Sequence, residues 1–448
     1  MEPLYQETYR PQFHFTAARG WLNDPNGLVF HAGEYHLFFQ HNPLGTEWGN
    51  MTWGHAVSRD LLRWQQLSNA IEPYDEGTIW SGSAVVDVTD TSGLAWGGEP
   101  PLVAFFTHAR RPFGQAMAYS LDRGRTFHLY GNGRHLVPNQ GLSDDERDPQ
   151  VLWYAPSRQW VMVLWVRQGA ARFFVSHDLI HWEWASDFEA PGFFECPDLF
   201  ELPVNGSQEE RKWVLHDAAL RYWVGEFDGC TFQAEEGPLQ VEYGPHFYAA
   251  QTWDGTPGRR VQIAWMRGGV YPDMPFNQQM SCPCDLSLHH TPEGVRLFRY
   301  PVAEIERLRC DTLFEGGCIL TPGDSPAFAV RGTLLDIGCS IRVDTAAEIA
   351  LRVYDQEVRY DTRTGLLLCA GRQAPLALAP DGTLSLRVLV DRTSLEVFGN
   401  GGAVSMAACF VPQAAETGVT LAGEGGAAEV ERLSIYRLES IWASGGAG

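Results

Sequence analysis

Three short acidic segments carry the residue types that a hydrolytic site needs. Trp21-Leu22-Asn23-Asp24-Pro25-Asn26-Gly27, Glu146-Arg147-Asp148-Pro149 and Phe193-Phe194-Glu195-Cys196-Pro197-Asp198 each set a carboxylate beside a proline or cysteine turn within an otherwise apolar stretch. Singly, each is ordinary turn chemistry, because Asn, Asp, Pro and Gly start and close turns. Together they allow work on a glycosidic bond: of two carboxylates facing across a sugar, one attacks or guides water and the other protonates the leaving oxygen. Glu195 suits the acid, since Phe193, Phe194 and Cys196 would disfavour its ionised form by desolvation. Asp24 suits the nucleophile, since Asn23, Asn26 and turn N–H groups would keep it ionised.

Elements that could bring these segments together are visible as an internal repeat. Ser58-Arg59-Asp60-Leu61-Leu62-Arg63-Trp64 recurs as Ser176-His177-Asp178-Leu179-Ile180-His181-Trp182. Looser copies end on Phe127 and Phe232, and a weaker fifth runs from Thr291 to Phe298. Each unit holds a β-branched and aromatic run (35–40, 102–107, 160–166, 212–215 and 261–266) bounded by Gly, Pro, Asn and Asp. Such units, ~40 to 60 residues long with about four strands each, are the signature of propeller blades, whose innermost strands converge on a central axis. The expected fold class is all-β, a five-bladed propeller over residues 1–300 followed by a β-sandwich over 310–448. The competing architecture is one large irregular sandwich. Between the two domains, Pro301 at a first helical turn and the apolar spacing of 301–309 predict a short linking helix. The second domain shows strand alternation at 384–390 and 394–398 but no cluster of acid, base and nucleophile, so its expected role is support or ligand contact.

Composition narrows the partners. The 448 residues carry 33 basic and 55 acidic side chains, net -22. Lys212 is the only lysine, which argues against a nucleic-acid footprint or a polybasic membrane patch. No run approaches the ~18 apolar residues of a membrane-spanning helix, and 1–13 lack a basic and apolar leader pattern, so a cytoplasmic setting is expected. Nine cysteines, none before Cys196 and none in a C-x-x-C pair, make neither a disulfide framework nor a zinc site, in keeping with a reducing compartment. His177 and His181 match Arg59 and Arg63 of the first repeat and read as turn residues; no metal site is expected.

The motifs WLNDPNG (21–27), FFQHNP (38–43), WGNMTWGHA (48–56), WSGSAVV (80–86), RDP (147–149) and ECPD (195–198) resemble glycoside hydrolase family 32, the invertase, inulinase and levanase group. The likeness continues through YWVGEFDG (222–229) and YAAQTW (248–253) to DRTSLEVFGNGG (391–402), nearly the whole chain. The resemblance implies the same propeller and sandwich, with Asp24 as nucleophile, Glu195 as acid/base and Asp148 as the residue that holds fructose hydroxyls. It implies sugar contacts by Asn23, Gln40, Trp48, Ser81 and Arg147, pocket walls from Trp80, Tyr248 and Trp265, and a tuning role for Cys196 beside the acid. It also implies a retaining mechanism without cofactor on a neutral saccharide. WGNMTWGHA and VGEFDG look more like the microbial exo-inulinase and levanase branch than the plant invertases.

The chain departs from the family's pattern at two points. Glu146 stands where many members have Phe, an extra charge that could shift titration near Asp148. Met280-Ser281-Cys282-Pro283-Cys284-Asp285 lacks the usual Arg-Glu pair, which bears on a pocket wall. Transfer of the fructosyl group to a sugar and non-catalytic fructan binding are the alternatives to hydrolysis. A homo-oligomer joined through the sandwich is conceivable but has no support in the sequence.

Overall fold

The computed structural model describes residues 4–322, 327–412 and 417–442. The ends of both expected domains, 1–3 and 443–448, lie outside the described residues. Five sheets follow one another along the first part of the chain, each with four antiparallel strands arranged from the axis outward, and the first also holds a short parallel strand, Phe276–Asn277, drawn from the fifth-blade segment. Their innermost strands are Gly20–His31, Thr78–Val86, Arg147–Tyr154, Asp198–Pro203 and Tyr248–Thr252. The apolar runs noted above are the second strands: Glu34–Asn42, Leu102–Ala109, Gln159–Arg167, Arg211–His216 and Arg260–Trp265. A second strand is covered on both faces by neighbouring blades, so both faces must be apolar and period-two alternation is lost. The core accordingly lies between blades, as where Val103, Phe105 and Met117 of the second meet Val151, Met162 and Leu164 of the third.

The sequence repeat is one turn used again and again between the third and fourth strands. Asp60 Oδ1 accepts the Leu62 and Arg63 N–H groups, Asp178 Oδ1 those of Ile180 and His181, and Asp122 Oδ1 those of Arg125 and Thr126, all at 2.8–3.1 Å. Asp228 does the same for Cys230 and Thr231. The fifth blade replaces this device with a tighter turn between Thr291 and Gly294, which pair directly.

Non-covalent contacts close the ring. Gly20 and Trp21 of the first blade pair in parallel with Phe276 and Asn277, which lie within the fifth-blade segment, and Met280 N–H donates to Phe15 C=O at 3.0 Å. The linker differs from expectation. Pro301 ends the outer strand of the fifth blade, and the helix is a 3-10 turn, Ala303–Leu308, too short for an α-helical ladder. Two six-stranded sheets then form the sandwich, which packs on the ring through the Gln12–His14 segment: Gln12, Phe13 and His14 N–H groups all donate to Asp391, and Ile441 N–H donates to Gln12 C=O.

Candidate active site

The three acidic segments meet at one end of the propeller axis because each lies at, or just before, the start of an innermost strand. The ladder slips beside Asp24 (between Leu22 and Pro25), beside Ser81 (between Trp80 and Gly82) and opposite Asp148 (between Val163 and Trp165). Such irregularities re-aim side chains that regular pleating would send elsewhere. Asp148, Glu195 and Cys196 have φ of 65°, 55° and 42°, left-handed conformations that non-glycine residues hold only where the surroundings enforce them. In WLNDPNG the glycine is required: Gly27 has φ +55°, and a Cβ there would lie 2.7 Å from the Phe38 ring.

Asn23, Asp24, Gln40, Trp48, Trp80, Ser81, Arg147, Asp148, Glu195, Tyr248 and Trp265, all expected from sequence, line one cavity of about 240 Å³. Ser81 Oγ donates to Asp24 Oδ2 at 2.6 Å, and Asn23 Nδ2 to Oδ1 at 3.2 Å. Cys196 is buried just behind: its N–H donates to Asp148 Oδ2 at 3.0 Å, and its Sγ lies 3.5 Å from that oxygen and 3.9 Å from Asp24 Oδ2. Glu195 is held from both sides, by Arg147 Nη2 on Oε1 at 2.5 Å and the Tyr248 hydroxyl on Oε2 at 2.6 Å. The Arg147 guanidinium stacks 4.2 Å from the Trp165 ring. Thr107 Oγ1 accepts the Asp148 N–H at 2.9 Å.

The electrostatics correct the expectation for Asp24. Burial, added to by the nearby Asp148 and Glu195 charges, pushes its carboxyl up to about 7; the Ser81 and Asn23 hydrogen bonds only partly oppose this. Asp148 is also raised, to about 6, by burial; Arg147 and the Cys196 donors pull it down and Glu195 pushes it further up. The aromatic neighbours expected to desolvate Glu195 do not enclose its side chain. Phe193 turns into the core, Phe194 packs on Trp165 with ring centroids 5.2 Å apart, and the Glu195 side chain keeps 20% of its exposure. Burial pushes the Cys196 thiol far up, so it remains a neutral S–H.

Both departures from the family pattern lie outside the pocket. The Glu146 carboxylate faces away from Asp148 and accepts the Gln140 and Leu142 N–H groups at 2.6 and 2.8 Å, capping the loop before the third blade. Cys282 and Cys284 are buried with sulfurs 3.7 Å apart, near Arg299 and Glu396 at the sandwich boundary. Two lining residues, Met51 and Arg267, were not expected. Met51 stands inside the WGNMTWGHA motif, which was the available signal; nothing in the sequence distinguishes Arg267 from any surface arginine.

Two buried polar atoms at the cavity wall, Gln40 Nε2 and Asn23 Oδ1, have no protein hydrogen-bond partner among the described residues. A donor and an acceptor left open in this way suit a hydroxyl-rich ligand. A larger cavity of about 490 Å³ occupies the far half of the propeller axis. Of the acidic groups on its wall, Asp198 accepts the Thr252 N–H, Glu201 pairs with Arg211, Glu226 pairs with Lys212, and the buried Asp254 accepts the Gly255 N–H. Among the described residues no His, Cys, Asp and Glu cluster is arranged to hold a metal ion.

A five-bladed propeller with a carboxylate trio at its axis, followed by a sandwich, is the build of a glycoside hydrolase, and the chain belongs to glycosyl hydrolases family 32. It matches the family's N-terminal domain over residues 14–301 and its C-terminal domain over 319–437. It is 38% identical to the levanase of Bacillus subtilis (strain 168), over 98% of this chain and 72% of that one. It is 32% identical to the extracellular exo-inulinase inuE of Aspergillus niger, over 98% and 96%. The crystal structure of exo-inulinase from Aspergillus awamori superposes with a TM-score of 0.90 at 29% identity, covering 98% of this chain and all of the other.

Proposed function

We propose that the protein is a retaining hydrolase that releases terminal β-D-fructofuranosyl units from fructans, fructo-oligosaccharides and sucrose. The observation that carries this reading is the meeting of Asp24, Asp148 and Glu195 around one small cavity whose wall holds an open donor and an open acceptor. At about 240 Å³ the cavity suits one sugar ring with the rest of the substrate outside, as end-trimming requires. The levanase and exo-inulinase relatives support the substrate class.

Asp24, its Oδ2 anchored by Ser81, attacks the anomeric C2 of the bound fructosyl unit while Glu195 gives its proton to the departing oxygen. Glu195 then takes a proton from water, the water oxygen bonds to C2, and the Asp24 ester breaks to free fructose. Asp148 accepts hydrogen bonds from ring hydroxyls as positive charge develops at C2, with Cys196 holding its second oxygen in place. Burial raises the pKa values of Asp24 and Asp148, so both hold their protons to higher pH than a free carboxyl does. The retaining mechanism uses Asp24 as the attacking carboxylate and Glu195 as the proton donor.

Free-fructose release from sucrose, kestose, inulin and levan at equal fructosyl concentration tests the reading, with methanol present to trap the fructosyl-enzyme. The expected outcome is stepwise fructose release and methyl fructoside of the β configuration. Methyl fructoside of inverted configuration would remove the Asp24 nucleophile, and no release from any of the four would remove the fructosidase reading.

A further inference from the structure

Arg267 is the lining residue for which the mechanism above has no task. Its guanidinium is exposed at the cavity mouth and meets two ring faces, Tyr248 at 4.7 Å and Trp265 at 5.8 Å from the centroids, with no carboxylate partner among the described residues. The loop that carries it is held by the Met266 N–H bond to Gln279 C=O at 2.9 Å and by a side-chain amide. Gln278 Oε1 accepts the Trp265 indole N–H at 2.9 Å and the Gly268 N–H at 3.3 Å, and its Nε2 donates to Gly269 C=O. A guanidinium at the end of a pinned loop, with most of its N–H donors facing solvent, is pre-organised to bind something that arrives from outside.

The geometry indicates what arrives there. Glu195 protonates the departing oxygen, and the Tyr248 hydroxyl that holds Glu195 belongs to the ring on which Arg267 rests. Whatever is attached to that oxygen extends outward past Tyr248. Across the mouth stands Trp48, 58% exposed and edge-on to Trp80 with centroids 6.0 Å apart. One wall of the exit is therefore an apolar ring edge and the other a set of N–H donors.

Resting on the fructosidase reading, we propose that Arg267 is a specificity residue that donates hydrogen bonds to hydroxyls of the sugar next to the fructosyl unit being cut, favouring a sugar leaving group over a small alcohol. No bond to Arg267 is made or broken. Its contribution is to hold the leaving sugar in line with the Glu195 proton.

The test compares sucrose, 1-kestose and methyl β-D-fructofuranoside on the intact protein and its Arg267→Ala and Arg267→Lys variants. The exposed position keeps both variants foldable, which an unchanged melting temperature verifies. Loss of charged hydrogen bonds should lower kcat/KM of Arg267→Ala for the two oligosaccharides by about tenfold, mainly through KM. Methyl fructoside should be affected by less than about twofold, because it presents no second sugar. Arg267→Lys should recover part of the loss, and the pH profile with methyl fructoside should stay in place. Equal losses on all three substrates with a displaced pH profile would overturn the proposal, since Arg267 would then act through Tyr248 and Glu195. No loss on any substrate would equally overturn it. If the unaltered protein releases no fructose, the fructosidase reading itself has failed; turnover with an indifferent Arg267→Ala removes this inference alone.

Discussion

The catalytic pocket and the boundary between propeller and sandwich both bury carboxylates, yet the two clusters titrate in opposite directions. At the pocket, burial and mutual repulsion push Asp24 up to about 7 and Asp148 up to about 6. At the boundary, Asp391 and Glu396 are held below their ordinary range although burial works against them. Their oxygens flank His14, whose Nδ1 and Nε2 each lie 2.8 Å from a carboxylate oxygen, and whose own pKa rises to about 9. Arg299 adds a guanidinium 3.6 Å from Glu396. The difference lies in the count of cations. The boundary sets two cations, His14 and Arg299, among Asp391, Glu396 and the Glu242 carboxylate that shares Arg299 at 3.4 Å, whereas the pocket pairs its three carboxylates with one guanidinium, Arg147, and so costs stability in exchange for reactivity.

Altering each cluster separates these effects. The largest should come from Asp24→Asn, which removes the nucleophile and lowers kcat on sucrose by about 10⁴-fold or more, measured by fructose release. The same variant should be more stable than the parent by about 1–3 kcal/mol in denaturant unfolding. A carboxyl whose folded pKa is raised costs nothing well below its unfolded value near 3.8, and its full cost appears once pH exceeds about 7, so the gain should grow from pH 4 to 7. No gain would mean that the pocket is not under electrostatic strain.

His14→Ala should act in the reverse sense, costing about 3–5 kcal/mol by leaving two buried carboxylates without their shared partner, while turnover per folded molecule is retained. A histidine with a raised folded pKa contributes fully below about 6.5 and loses its contribution as pH climbs through about 9. The parent's stability should therefore fall between pH 7 and 9.5, and thermal melts of His14→Ala across that range should lack this decline. The smallest effect is assigned to Cys196. With its thiol kept neutral, Cys196→Ser should change kcat/KM by less than about tenfold, and iodoacetamide should not inactivate the folded enzyme.

The blades and the site could be read from sequence to different depths. Strands were legible because burial on both faces turns second strands such as Gln159–Arg167 into apolar runs, and because one Asp-centred turn recurs with its side-chain hydrogen bonds intact. The carboxylates were legible as residue types, since their turns write Asn, Pro and Gly into the chain beside them. Their charge states were not, because desolvation of Asp24 depends on the blades that close around it, far away in sequence. Arg267 was not legible for the same reason: its role is defined by the Tyr248 ring it lies against, and by a pin from Gln278 that local sequence does not display. Pro301 misled, since a proline that opens a helix and one that ends an outer strand look alike until the neighbouring chain is in place.

The closure of the ring has a mechanical consequence. A hoop fails at its join, and here the join between the first and fifth blades runs through the pocket, with Asn23, Asp24, Gln40 and Trp48 on one bank and Tyr248, Trp265 and Arg267 on the other. Slippage there would pull the nucleophile away from the opposite wall while the individual sheets stayed intact. The sandwich, by gripping the Gln12–His14 segment just ahead of the first blade, works as a buckle across that join, and so steadies a pocket whose described lining comes from the propeller.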